Sequence, residues 1–448
     1  MNVLVLTPYL YNTVPGQRFR IEQWARYLEP LGIRCTFVPF ETPALKRVLY
    51  DTRHFATKLQ ELGYSMLRRL EQVVAGQLAT PHDRVEQQQA AGVFDVSHMG
   101  QVVVKGPDAV QTLNRLLVSD LAQVGIGRAC YTLMLNESGG ILDDLIVFRL
   151  GEEDYLVIVN CATRQSDVAW MNAQRVGQTT ITDISEGRGI LAVQGPLACR
   201  VLEQILDARV TGLGRFDIAP IRTMGPEACI ARTGYTGGDG FELFLPNHHL
   251  LRLWDTILTA AGPKGAKPVG LGARDTLRVE AGLRLNGTDM DPSTSPIEVG
   301  LDWTVAFNKS EFIGKDVLLR QKREGVARKF VGFELSQGPV PRQGYELSRD
   351  LPAAPGAACL PSPIGDRQAQ TGGRRVGTVT SGTFSQMLNR PIGMGYAEPA
   401  CAKLGTTLTM TVRSQRHTAT VVKLPFWKPE APAPVLSKST TAAREKLS

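Results

Sequence analysis

The stretch from Ala129 to Phe148, ACYTLMLNESGGILDDLIVF, constrains this chain more than any other. Two apolar runs flank the polar turn Asn136-Glu137-Ser138-Gly139-Gly140, which predicts a β-hairpin with a longer loop. Two adjacent carboxylates, Asp143 and Asp144, follow the turn inside an otherwise hydrophobic strand. Neighbours in a strand point to opposite faces, so one acid is expected to face inward and the other solvent. An inward carboxylate is costly unless a positive or hydrogen-bonding group meets it. The alternative is an acid that merely ends the turn.

The chain is too long, at 448 residues, for a single core, so two to four domains are expected. Val3 to Thr7 and Cys35 to Pro39 read as strands flanking a helix from Arg18 to Leu31, a β-α-β unit; a second helical stretch runs from about Ala44 to Val74. A Gly-, Pro- and polar-rich junction spans Gly76 to Arg84, after which a short helix, VEQQQAAG, leads into VFDVSHMG and the strand QVVVKG. A helix from Asp108 to Leu117 precedes the hairpin. Tyr155 to Asn160, a helix through Trp170 and Met171, and strands around Ile181 and Ile190 come next. LAVQGPLA is a strand entering a proline-started helix, and CIARTGYTGGDGFELFLP is a second hairpin with a glycine-rich tip. Leu250 to Ala261 and the segment VGLGARDTLRVEAG are helical, the latter placing Arg274 and Arg278 on one face with Asp275 and Glu280 available as partners. From Phe330 onward strands and turns indicate a small β-domain; Leu351 to Arg374 reads as loop, and Lys428 to Ser448 as disordered tail.

With 43% hydrophobic and 21% charged residues, the composition is that of an ordinary globular protein. The net charge of +7 favours an acidic partner, whether protein, carboxylate-rich small molecule or nucleic acid. The basic residues are interspersed, which ranks nucleic acid last, and no nucleic-acid or membrane partner is expected. Seven cysteines without a CxxC pair indicate reduced thiols and a cytoplasmic setting; the six histidines lack metal-ligand spacing, so no metal is expected. The start, MNVLVLTPYL, has no basic n-region and meets a proline at once, so it reads as a buried strand and not a signal peptide.

Two resemblances add to this reading. NVLVLTPYL with GQRFRIEQWARYLEPLGIRCTFVPF resembles an amino-terminal fragment of the GT-B glycosyltransferases, over residues 1–75. Over about residues 83–427 the ordered blocks AAGVFDVSHMG, CYTLMLNESGGILDDLIVFRL, LAVQGP, ARTGYTGGDGFEL, VGLGARDTLRVEAGLRLNGTDMD, STSPIEVGLDW, FIGKDVL, PRQGY, GTVTSGTFS, RPIGMGY and VVKLPF resemble the glycine cleavage system T-protein, an aminomethyltransferase. That resemblance implies an α+β, three-domain cloverleaf that binds folate, with a β-rich C-terminal domain, here preceded by a partial Rossmann-like fragment. The implied division is 1–75 for the fragment, 83–312 for the folate-binding catalytic region in two α+β subdomains, 313–427 for the C-terminal domain and 428–448 for the tail. The implied activity moves the methylene of an S-aminomethyl-dihydrolipoyl carrier, the H-protein, to tetrahydrofolate as co-substrate, with release of ammonia.

Residue by residue, the resemblance implies that Asp144 is the active-site acid, orienting the attacking amine and stabilising positive charge on the transferring methylene. Asp143 is then its solvent-side or structural neighbour. Met99, Tyr131, Asn160, Tyr235, Glu242 and Arg274 match folate-site positions: Met99 and Tyr131 as walls for a flat pterin, Asn160 as a mixed donor and acceptor, Glu242 as acceptor for pterin N–H groups, Arg274 as a planar donor fork. Arg278 and Glu280 are read as structural pairing, His98 as a hydrogen-bonded structural residue, and Trp303 as packing near the pterin. The chain departs from the pattern where Asn286 and Thr288 stand in place of an aromatic and a histidine. It also departs before the FDVSHM block, where the family's Phe-Ala-Gly-Trp and Pro-Val-Gln-Tyr segments are missing. Rival readings are a non-catalytic folate binder of the same fold, an inactive fusion product and, from residues 1–75 alone, a nucleotide-sugar glycosyltransferase.

Overall fold

A computed structural model describes residues 2–6, 34–38, 91–206, 210–261, 265–349 and 373–428. The helices expected at 18–31 and 44–74, the junction at 76–84, most of VEQQQAAG, the loop at 351–372 and the tail at 429–448 lie outside the described residues. Strands β1 (Asn2–Leu6) and β2 (Arg34–Val38) pair in parallel, as the β-α-β reading requires. The end of VEQQQAAG is not helix, because Ala91 opens strand β3 (Ala91–Asp95). It is a run of apolar residues buried between neighbours, which favours strand over helix.

The centre of the molecule is a pair of sheets. One contains β4 (Gly100–Lys105), β5 (Arg128–Leu135), β6 (Ile141–Arg149), β7 (Asp154–Val159) and β8 (Thr180–Asp183), in the order β5-β6-β7-β4-β8. The hairpin β5-β6 forms as expected, with Thr132 opposite Leu145 and Leu133 opposite Asp144. Its turn closes on the Asn136 side chain, which accepts from Gly140 N at 2.9 Å, while Gly139 adopts the positive φ that the turn requires. Helices α1 (Ala109–Leu116) and α2 (Arg164–Ala173) cover one face. Helix α1 buries Ala109, Thr112, Leu113 and Leu116, the i, i+3, i+4, i+7 spacing of one helical face. These meet Leu145 and Val147 of β6 and Val157 and Val159 of β7.

The second sheet joins β3 to β9 (Arg188–Gln194), β10 (Ile218–Pro220), β11 (Cys229–Ala231), β12 (Gly240–Pro246) and β13 (Ala266–Pro268). Its outer face packs on α3 (Ala198–Glu203) and α4 (Asn247–Ala261), through Leu250, Leu253, Trp254 and Ile257. The inner faces of the two sheets meet each other. Phe148, Leu156 and Ile158 from the first pack against Phe94, Ile190, Ala192 and Phe244 from the second, with Phe148 and Phe244 edge to face at 5.2 Å. Every residue of β9 is buried because both of its faces are covered.

Helix α5 (Leu271–Glu280) leaves the second sheet and lies against a closed barrel. The barrel strands are β14 (Lys329–Glu334), β15 (Glu346–Arg349), β16 (Arg374–Ser385), β17 (Arg390–Ala397), β18 (Thr407–Val412) and β19 (Gln415–Val422), reached through α6 (Lys315–Glu324). Closure, completed by pairing β14 with β19, leaves no open sheet edge. A buried ion pair joins the parts: Arg278 reaches Asp275 at 2.9 Å and Asp289, and donates to Ser381 Oγ at 2.8 Å. Tyr396 of β17 donates to the Asp289 carbonyl at 2.6 Å. The structural pairing expected of Arg278 is present; Glu280 instead accepts from Ser385 Oγ, at 2.7 Å.

Candidate active site

The strand β6 runs between the helix layer and the inner sheet interface; its helix-facing side is closed to water, while Asp144 and Ile146 on the inner side stay partly accessible. Asp143 shares the helix-facing side with Leu145 and Val147 and is fully buried; Asp144 shares the inner side with Ile146 and Phe148 and is half-buried. Of the two alternatives for Asp143, the solvent-side one is therefore wrong and the structural one fits. Alternation places the two acids on opposite faces, as expected, but helices α1 and α2 cover the face that sequence alone assigns to water.

The price of burying two carboxylates is met by amide donors. Asn160 follows β7 directly, and continuing the register of Ile146 opposite Ile158 brings it opposite Asp144. Its Nδ2 donates to Asp143 Oδ1 at 2.8 Å and Asp144 Oδ1 at 2.9 Å, and its backbone N–H to Asp143 Oδ2 at 2.9 Å. Asn286, in the loop after α5, donates to Asp143 Oδ1 at 2.6 Å. Tyr131 Oη donates to Asp144 Oδ2 at 3.0 Å from the adjacent strand. Burial, reinforced by the charge of Asp143, nonetheless pushes the Asp144 carboxyl up to about 7. Burial and the Asp144 charge hold the Tyr131 phenol well above its ordinary value, so it stays a donor.

The remaining expected residues gather on the same inner side. Met99 packs on the interface cluster that contains Phe148 and Ile158. Tyr131 stacks on Trp303, with ring centroids 6.0 Å apart; Trp303 is not packed away, being 69% exposed. Tyr235 donates to the Arg284 carbonyl, and the Arg274 guanidinium lies over its ring at 4.9 Å. The Asp144 charge reaches the Tyr235 phenol, which burial raises above its usual range. Glu242, opposite Ala231 in the second hairpin, accepts from Thr233 Oγ1 at 2.6 Å and acts electrostatically on Arg274. Arg274 Nη1 is buried with no partner, so this guanidinium has a donor directed at no protein acceptor. A flat heterocycle with carbonyl and ring-nitrogen acceptors suits that donor, and its N–H groups suit Glu242.

Several residues at the site escaped sequence reasoning. Gln194, fully buried at the end of β9, donates to the carbonyls of Thr233 at 3.0 Å and Phe241 at 3.3 Å and accepts from Thr236 Oγ1 at 3.1 Å. It thereby holds the loop carrying Tyr235, and Arg232 with Asp239 closes the same loop by two bonds of 2.8 and 2.7 Å. A glutamine before Gly-Pro carries no local signal of this; Asn286 was visible only as a departure. Asp167, in the first turn of α2, is also buried beside Asp143.

Fold and site together define a class: two α+β layers with their sheets face to face, a barrel locked beside them, and a polar centre at their junction. A family model described as the GCVT N-terminal domain matches residues 55–309, and one described as the glycine cleavage T-protein C-terminal barrel domain matches 328–428. The chain belongs to the glycine cleavage T-protein family. It is 38% identical over 387 residues to an aminomethyltransferase of Caldanaerobacter subterraneus, covering 86% of this chain and 96% of that protein. It is 41% identical over 341 residues to one of Shouchella clausii, covering 76% and 87%. The crystal structure of glycine cleavage system aminomethyltransferase T from Bartonella henselae matches with a TM-score of 0.68 and 33% identity, over 78% of this chain and 89% of that one. The family match begins at residue 55, inside the stretch 1–75 read from sequence as a glycosyltransferase fragment, and that reading is not supported.

Proposed function

We propose that Asp144 is the acid at the centre of a tetrahydrofolate-dependent aminomethyltransferase. The chain is an aminomethyltransferase of the glycine cleavage type: it transfers the methylene of an S-aminomethyl-dihydrolipoyl carrier to tetrahydrofolate and releases ammonia. The observation that carries the role of Asp144 is its setting. It is an inward carboxylate with one oxygen on Tyr131 and the other on Asn160, its pKa raised to near neutrality, and its charge reaches Tyr235, over whose ring lies an arginine with an unmatched buried donor. Ionised, it accepts from the attacking amine and stabilises positive charge as the methylene moves. Arg274, Glu242 and Tyr235 hold the pterin, Met99 and Tyr131 wall it, and Asn160 keeps Asp144 aimed.

The partner in this reading is a lipoylated H-protein, drawn to a chain of net charge +7, and the setting is cytoplasmic. Among the described residues no helix is long and apolar enough to cross a membrane. Residues 83–312 form the folate-binding region and 313–427 the C-terminal domain. The test is ammonia release from an aminomethyl-loaded dihydrolipoyl carrier by the purified full-length chain, with and without tetrahydrofolate. Release that depends on tetrahydrofolate is expected. Folate binding without release would leave a folate-binding protein of the same fold.

A further inference from the structure

Behind the Asp144 site lies a third carboxylate that the reaction as described does not use. Asp167 stands in the first turn of α2, is 2% exposed, and meets Asp143 side chain to side chain within hydrogen-bonding reach. Its Oδ2 is buried with no N–H or hydroxyl donor. No ion pair reaches Asp143, Asp144 or Asp167 among the described residues, and Arg164, the nearest cation along α2, is turned to Asp183 at 3.4 Å. Two carboxylate oxygens cannot sit in contact in a dry interior without a proton between them.

The donors decide which acid holds that proton. Asp143 already receives three N–H groups, from Asn160 N at 2.9 Å, Asn160 Nδ2 at 2.8 Å and Asn286 Nδ2 at 2.6 Å, an arrangement that favours its anion. Asp167 has at most the neighbouring Thr163 hydroxyl, which already donates to the Asn160 carbonyl at 3.3 Å. We propose that Asp167 is a positioning residue held as a neutral acid, whose O–H donates to Asp143 and so fixes the Asn160 amide that aims Asp144. One amide group, Asn160 Nδ2, bridges Asp143 and Asp144, so a shift of Asp143 moves the hydrogen bond on which Asp144 depends. The proposal rests on the reading of Asp144 as the reacting acid.

A consequence is an alkaline limit to activity. The titratable groups facing Asp167 are Asp143 and Asp144 from β6, with Tyr131 beyond them on β5. Burial and the Asp143 charge push the Asp167 carboxyl up to about 9. Above that, Asp167 ionises, repels Asp143, and the donor that aims Asp144 is lost.

The experiment uses the full-length protein with Asp167→Asn and Asp167→Ala. It records kcat and KM against pH, together with the infrared band of protonated carboxyl groups at pH 8 and above. Asn keeps a donor for Asp143 but cannot ionise, so Asp167→Asn is expected to hold kcat near the wild-type value at pH 8 and to lose the alkaline fall. Asp167→Ala is expected to lower kcat about tenfold with little change in KM. The component of the protonated-carboxyl band that titrates away near pH 9 in the wild type, about two pH units above Asp144, should be absent from Asp167→Asn and survive in Asp144→Asn. An alkaline fall, or a band component titrating near pH 9, that persists in Asp167→Asn overturns the proposal. The band needs no turnover, so it separates this failure from a failure of the Asp144 reading; if Asp167→Ala does not fold, the Asn variant carries the test.

Discussion

Replacing Tyr131 by Phe removes one hydrogen bond from Asp144 and little else, because the ring that stacks on Trp303 is retained. The Tyr131 hydroxyl donates to Asp144 Oδ2 at 3.0 Å and therefore favours the ionised carboxylate. A hydrogen bond to a charged group contributes roughly 1.5–3 kcal/mol. Since one pKa unit is about 1.4 kcal/mol, its loss should raise Asp144 by about one to two units. Asp144 starts near 7, so half of it is ionised at neutral pH. In the variant the ionised fraction at pH 7 falls to about 1–10%. The direction follows from the role: the ionised form reacts, so activity is lost as pH falls through about 7 in the wild type and already through about 8–9 in Tyr131→Phe. The assay is kcat/KM for aminomethyl transfer across the neutral and alkaline range. A displaced acid limb is expected, with a lowered maximum because it runs into the alkaline fall near pH 9; an acid limb that stays in place would refute the argument that Tyr131 sets the charge of Asp144.

Three further changes probe other parts of the account. Arg274→Ala removes the buried guanidinium with the unmatched Nη1, and tetrahydrofolate binding by calorimetry should weaken about thirtyfold, equivalent to roughly 2 kcal/mol; wild-type affinity would remove Arg274 from the site. Asp289→Ala removes the buried partner of Arg278 at the junction with the barrel and leaves it only Asp275, at the surface, and Ser381; chemical denaturation should report a loss of about 3 kcal/mol, an unchanged midpoint being the contrary result. Gln194→Ala frees the loop that carries Tyr235, so KM for tetrahydrofolate should rise about tenfold, and an unchanged KM would make Gln194 a packing residue only.

The local chemistry of this chain was legible where spacing carries it. The hairpin β5-β6, the helical faces of α1 and α4 and the glycine-rich tip of the second hairpin follow from alternation, i, i+3, i+4 recurrence and turn residues. The face of β6 that is covered was not legible, because strand alternation says which residues are alike and not which layer meets them. Asp143 is buried since helices from elsewhere in the chain close over it. Of the residues matched by resemblance, Tyr131, Asp144 and Asn160 come together through the consecutive strands β5, β6 and β7, whereas Tyr235 and Arg274 come from a loop and a helix far along the chain. Their supports, Gln194, Asn286, Asp167 and Asp289, are polar residues whose roles arise only from their contacts in the fold. Gln194 is an ordinary strand-end glutamine until the loop at Thr233 folds over it.

The central claim is that Asp144 is the acid of the transfer step, and Asp144→Asn tests it most directly. The amide keeps the shape of the side chain and removes its charge. Turnover of the aminomethyl-loaded carrier and tetrahydrofolate affinity should be measured on the same preparation. The account predicts a kcat lowered by about 10²–10⁴-fold with affinity retained. Turnover equal to the wild type would contradict it.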